Sequence, residues 1–156
     1  MTTIIEDINE VLAKWCEDVI TQIKTNLDST GTTASGNTKN SIGYEVEDGT
    51  LVIYGRPYFK GVEEGRPAGK VPYNFQDILF DWASDKGILS SFGDTVAKQR
   101  SALWLVGQFI KNNGTKLYRN GGREDIYTDV IQSELPELEK RLKAKVADTI
   151  ILNMSR

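Results

Sequence analysis

The chain has 156 residues, of which 39% are apolar and 26% charged, with a net charge of −3. That length fits one domain with a core of its own, so no disulfide or metal is required to hold it together. The charge balance argues against a generally nucleic-acid-binding surface, which needs Lys and Arg in clustered excess.

The sequence contains no histidine and one cysteine. Ser-His-Asp and Cys-His catalysis are thereby excluded, and ordinary zinc sites nearly so. Carboxylate chemistry with a hard cation survives that filter. The lone Cys16 has no partner for an internal disulfide, in keeping with a reducing compartment. No apolar run approaches the roughly 20 residues of a membrane span. The start, from Met1 to Asp7, lacks the basic and apolar regions of a signal peptide, and the expectation is a protein made and kept in a cytoplasm.

In chain order, Ile4, Ile8, Val11, Leu12, Trp15, Val19, Ile20, Ile23 and Leu27 recur at helical spacing and predict a long amphipathic helix ending near Leu27. Thr3 followed by Glu6 is a capping-box pattern for its start. Cys16 lies beside the apolar stripe and is expected to be a half-buried packing residue. Residues 28–40 are almost all small and polar and predict a flexible loop. Ile42, Tyr44 and Val46 alternate, Asp48-Gly49 supplies positive-φ turn residues, and 51–54 run apolar, which predicts a β-hairpin. Its second strand, apolar on both faces, is expected to be the more central one.

A loop from Arg56 to Pro72 follows. Asn74 then opens a short helix with Phe75, Ile78, Leu79 and Trp82 on its buried face and Gly87 as its stop. A third helix begins at Asp94 or Thr95, carries Ala102, Leu103, Val106, Phe109 and Ile110 on its face, and ends at Gly114. Residues 117–123 read as a loop with a flexible Gly121-Gly122 turn. Ile126, Val130 and Ile131 precede a final helix bearing Leu135, Leu138, Leu142, Val146 and Ile150, and Pro136 is expected to begin that helix anew, with Ser133 or Glu134 near its cap. These elements predict a single α+β domain over residues 1–156, with a hairpin packed on the long first helix and further amphipathic helices.

Neither glycine-rich stretch has Walker spacing. Glu63-Glu64, beside Tyr58 and Arg66, offers a carboxylate pair for Mg²⁺ or acid/base work, although adjacent acidic residues in a loop usually face water. Glu137 before Arg141 and Glu139 before Lys143 have the favourable i,i+4 order of a solvated helix face, so that basic run reads as salt-bridged and not as a nucleic-acid site. Tyr54, Tyr58 and Phe59 lie near Val62, Pro67 and Tyr73 in a segment too polar to be core throughout. Aromatic and Arg side chains are the usual anchors of protein interfaces, so Tyr58, Phe59, Val62, Glu63, Arg66 and Pro67 form the candidate contact surface.

Pro57-Tyr58 followed by Val62-Glu63-Glu64-Gly65-Arg66-Pro67 resembles the "P-Y-A-x-x-V-E-x-G-T" stretch of tailed-bacteriophage head–tail joining and tail-completion proteins. Trp82-Ala83-Ser84-Asp85-Lys86-Gly87-Ile88 is similar to that family's "W-x-x-x-K-G-I", and Ile110 to Thr115 to its "I-x-x-x-G-T". Phe59 replaces a small residue, Arg66 the threonine, and residues 125–130 the usual "F-L-x-x-A". The resemblance implies a structural virion protein, assembled in the host cytoplasm, that forms a homo-oligomeric ring at the neck. Its partners would be portal, neck or tail proteins, with no cofactor, no metal, no catalytic residues, no membrane and no sequence-specific nucleic acid. The alternatives are a small metal-dependent carboxylate enzyme using Glu63 and Glu64, and a cytoplasmic adaptor unrelated to phage.

Overall fold

The computed structural model describes residues 3–155. The fold is α+β: a long N-terminal helix, a two-stranded antiparallel sheet and further helices. In order these are α1 (Ile4–Ser29), α2 (Asn37–Asn40), β1 (Gly43–Glu47), β2 (Thr50–Tyr54), α3 (Gly61–Glu64), α4 (Phe75–Asp85), a 3-10 turn (Leu89–Phe92), α5 (Val96–Asn113), α6 (Lys116–Arg119) and α7 (Thr128–Met154). The chain gathers into two compact units. One comprises the N-terminal stretch through Thr30, Lys39–Arg56 and the chain from Glu124 onward, and the other comprises Gly31–Thr38 and Pro57–Arg123.

In the first unit α1 packs on α7 and on the hairpin. The capping box forms as its residues dictate: the Glu6 N–H donates to Thr3 Oγ1 at 3.2 Å, and the Thr3 N–H donates to the Glu6 carboxylate at 2.6 Å. Leu12, Trp15, Cys16, Val19, Ile20, Ile23 and Leu27 are buried on one stripe. Cys16 is wholly buried where a half-buried residue was expected, and burial pushes its thiol up to about 11, which keeps it protonated and inert. Trp15 is 3% exposed, and its indole N–H donates to the Glu134 carbonyl oxygen at 3.0 Å. That bond ties α1 to α7 two residues before Pro136.

Pro136 does not begin a new helix as expected; it lies inside the continuous α7. Proline lacks one N–H and crowds the preceding turn, and here packing of α7 along α1 carries the helix through that local cost. Leu135 and Ile150, expected on the buried face, are exposed.

Asp48 and Gly49 adopt φ of 48° and 76°, the turn that their sequence predicts. The strands pair with Gly43 opposite Tyr54, Glu45 opposite Val52 and Glu47 opposite Thr50. Tyr44, Val46, Leu51 and Ile53 are half-buried on the other face. With only two strands in the sheet, β2 has no central place to occupy, and its alternate apolar residues Val52 and Tyr54 stand exposed.

In the second unit α4 and α5 pack together around Leu79, Ala83 and Leu103, with Phe75, Phe80, Val106 and Ile110 against them. Trp82 and Ile78 are not on the buried face: Trp82 is 40% exposed, while Ala83 is wholly buried. The close approach runs through small residues. A Cβ on Gly107 would already touch Leu79 at 3.4 Å and Phe75 at 3.5 Å, so the seam is set by Ala83 and Gly107 and turns Trp82 outward. Phe109 is likewise exposed, against expectation.

Candidate interaction site

The segment that the sequence marks as a contact surface is built on α3. The Gly61 and Val62 N–H groups donate to the Tyr58 and Phe59 carbonyl oxygens at 3.0 Å each, which winds the chain from 58 directly into the helix. Tyr58 is 55% exposed and Pro67 is exposed, whereas Phe59, Val62 and Arg66 are half-buried. Glu63 departs most from expectation: it is 2% exposed and does not face water. Its neighbour Glu64 is exposed and pairs with Lys60 at 3.3 Å. A helical turn separates successive side chains by about 100°, so the two carboxylates lie in different environments. Among the described residues no group of three Cys, Asp or Glu side chains is placed to hold a metal ion.

Two distant motifs meet at this segment. The Arg66 N–H donates to Thr115 Oγ1 at 2.9 Å, and the Thr115 N–H donates to the Arg66 carbonyl oxygen at 2.9 Å. The same Thr115 hydroxyl caps α6 by accepting from the Tyr118 N–H. The Arg123 N–H donates to the Glu63 carbonyl oxygen at 2.9 Å, and the Gly69 N–H to that of Lys111 at 2.8 Å. The Arg66 guanidinium lies 5.3 Å from the centre of the Phe75 ring and donates to the Lys70 carbonyl oxygen.

This clasp demands glycine. Gly65 sits at φ 73°, ψ −173°, a region essentially closed to other residues. A Cβ there would lie 2.4 Å from the Tyr118 backbone nitrogen. One on Gly114 would lie 2.8 Å from the Arg66 carbonyl oxygen, and one on Gly122 would lie 2.9 Å from that of Glu63. Gly122, expected to belong to a flexible turn, is therefore a packing residue.

The third motif is a helix ending. The Ile88 N–H donates to the Ala83 carbonyl oxygen and the Gly87 N–H to that of Ser84, with Gly87 at φ 68°. This is the Schellman arrangement, which leaves the Lys86 side chain at the end of α4. Lys86 Nζ donates to the carbonyl oxygens of Gly31 and Thr33, the latter at 2.8 Å. Residues 28–40, expected as a flexible loop, are thus gripped at two carbonyls and wind into α2 at their end.

Elsewhere in the first unit, Asp7 is buried and accepts from the Thr149 hydroxyl at 2.5 Å and from Lys145 Nζ at 3.4 Å. The Thr149 bond, aided by Lys145, holds the Asp7 carboxyl below its usual range. Hydrogen bonds to Glu10 and Asp7 hold the Lys145 ammonium above its own. Tyr44 donates to Glu17 at 2.9 Å, and that bond raises the phenol. The i,i+4 pairs expected on α7 form, Arg141 to Glu137 at 3.1 Å and Lys143 to Glu139 at 2.5 Å. Arg141 also reaches Asp18 on α1 at 2.9 Å.

Comparison with family models, with curated proteins and with solved structures finds no match to this chain.

Proposed function

We propose that the chain is a structural protein of a tailed-phage virion, docking as a homo-oligomeric ring at the neck between head and tail. It would act by protein–protein contact with portal, neck or tail proteins and not by chemistry. The observation that carries this reading is the clasp. The segments around Arg66 and Thr115, 49 residues apart, resemble the neck family separately, and here they are bonded to each other. Short matching strings are weak singly; strings that meet in one hydrogen-bonded structure support a shared architecture. The Tyr58 carbonyl oxygen accepts from the Gly61 N–H, which joins the exposed Tyr58 to the turn that enters α3 beside the clasp.

The experiment is complementation with Tyr58→Ala, alone and combined with Phe59→Ala. Interface anchors of this type cost at least about 2 kcal/mol on truncation, roughly thirtyfold in affinity. Tyr58→Ala should keep its circular dichroism spectrum and its unfolding midpoint, yet fail to complete particles. Half-buried Phe59 is expected to carry part of the folding energy as well. Normal particles from the folded Tyr58→Ala variant would remove Tyr58 from the contact.

A further inference from the structure

The two units carry opposite charge. The first holds nine Lys and Arg against sixteen Asp and Glu, a net of −7; the second holds ten against six, a net of +4, and together they give the −3 of the whole chain. Each unit also presents one face on which that imbalance coincides with exposed apolar side chains.

In the first unit this face is the outer side of the hairpin. Residues 43–54 include three acidic residues and no basic one. The register sets Glu45 beside Val52 and Glu47 beside Thr50 on a single side, all exposed, with Tyr54 laid across Gly43 at its end. In the second unit it is the outer side of α5, a helix with no acidic residue, where Arg100 turns to Asp77 and Phe80 of α4 and Lys98 pairs with Asp94, which leaves Lys111 as the cation of the outer side. Leu103 and Gly107 face inward, so helical geometry turns Trp104 and Leu105 outward, 52% and 63% exposed. Lys111 lies on the Trp104 side, and Arg119 stacks 4.9 Å from the centre of the exposed Phe109 ring. An unpaired helix face that combines Trp, Phe, Leu and cationic side chains has the composition of an interface core.

We infer that these faces are the two halves of one head-to-tail contact: the outer side of α5 in one copy docks on the outer side of the hairpin in the next copy. The inference rests on the ring reading, and it names a contact that the Tyr58 loop does not include. Both halves belong to the same chain, they are chemically unlike, and their charges are complementary. Such a contact is heterologous, so each copy keeps one face free for the next, which is the condition for a ring or a filament. Charge matching sets partner orientation and capture, while the apolar side chains supply the buried area.

The test is sedimentation velocity on the full chain and two surface variants, each checked by circular dichroism. Glu45→Lys with Glu47→Lys reverses the charge of the hairpin face; Trp104→Ala with Leu105→Ala strips the α5 face of its apolar side chains and leaves its charge unchanged. Wild type should self-associate with rising concentration, and the association should weaken about tenfold when salt screens the charges. Each variant alone should remain monomeric. Mixed together they should form a one-to-one dimer and nothing larger, because only one competent pair of faces is left. Tyr54→Ala and Trp104→Ala, which alter no charge, provide the same contrast if a reversed chain fails to fold.

A wild type that is monomeric throughout, or variants that assemble like wild type, would overturn the contact. So would a folded wild type that stays monomeric and binds a single-stranded oligonucleotide through Lys111, since α5 would then serve nucleic acid. If wild type and variants alike close into rings, only this contact fails and the neck reading stands. If the variants behave as expected but the chain is absent from virions, the contact stands and the neck reading fails.

Discussion

Gly65→Ala tests whether the clasp is a structural necessity. Forcing alanine into φ 73°, ψ −173° costs about 2–3 kcal/mol by itself. The new methyl would also lie 2.4 Å from the Tyr118 nitrogen and 2.7 Å from Thr115 Oγ1. The Tyr118 nitrogen is backbone and cannot rotate aside, and turning the Thr115 hydroxyl away would cost its bonds to Arg66 and Tyr118, so relief requires that α3 and α6 part. Parting them breaks the Arg66–Thr115 pair, each bond of which contributes about 1 kcal/mol. The sum is about 4–5 kcal/mol. Gly121→Ala is the control, because Gly121 also has positive φ, 88°, but nothing lies within 4 Å of its Cβ position; it should cost about 1–2 kcal/mol. Urea unfolding followed by tryptophan fluorescence reads both, with Trp82 and Trp104 reporting on this unit. Equal losses within about 0.5 kcal/mol would show that crowding at the clasp contributes nothing and would refute the reasoning.

Three further outcomes are expected. Trp15→Ala should cost about 3–5 kcal/mol in urea unfolding, since it removes a buried indole and its bond to Glu134, whereas the half-exposed Trp82→Ala should cost under about 1.5 kcal/mol. The Asp7 carboxyl is held below its usual range by Thr149 and Lys145, so its contribution is complete above the unfolded value of about 3.9 and is lost as pH falls through the lower folded value; Asp7→Asn should flatten the acid limb of the thermal-stability profile and leave its shape from pH 5 to 8 unchanged. Lys86→Met keeps the stem but removes the donor, and it should speed amide exchange across Gly31–Thr38 while leaving α5 unchanged.

The sequence was most legible where one local rule decides the outcome. The Thr3–Glu6 box, the Asp48-Gly49 turn, the Gly87 and Gly114 helix ends and the α1 stripe each depend on neighbours a few residues away, and each forms as read except that Ile4, the first residue of the stripe, is exposed. It misled where small residues set the contact. Helical periodicity gives weight to bulky side chains, so Trp82 and Phe109 read as core, but Ala83 and Gly107 let α4 and α5 approach and turned both aromatics out. Pro136 read as a boundary because local cost was visible and the packing of α7 on α1 was not. At the candidate site, Tyr58 and Pro67 lie on the surface as the segment's composition suggested, while Glu63 is buried, with the chain at Gly122 and Arg123, distant in sequence, packed on its backbone carbonyl. Gly122 could have signalled the clasp through its pairing with Gly121 ahead of Arg123, yet the same dipeptide also describes an open turn. On the outer face of α5, Phe109 was assigned to the core, whereas Trp104 and Leu105 were given no place, because the inward stripe of Leu103, Val106 and Ile110 alone accounts for the helical period.

The most direct measurement is to locate the chain in particles made from the genome that encodes it, by electron microscopy with an antibody or gold label on the native protein. The neck reading predicts label at the head–tail joint, and unjoined heads and tails when the coding sequence is deleted. Particles that lack the chain, and that join heads to tails normally after its deletion, would contradict it.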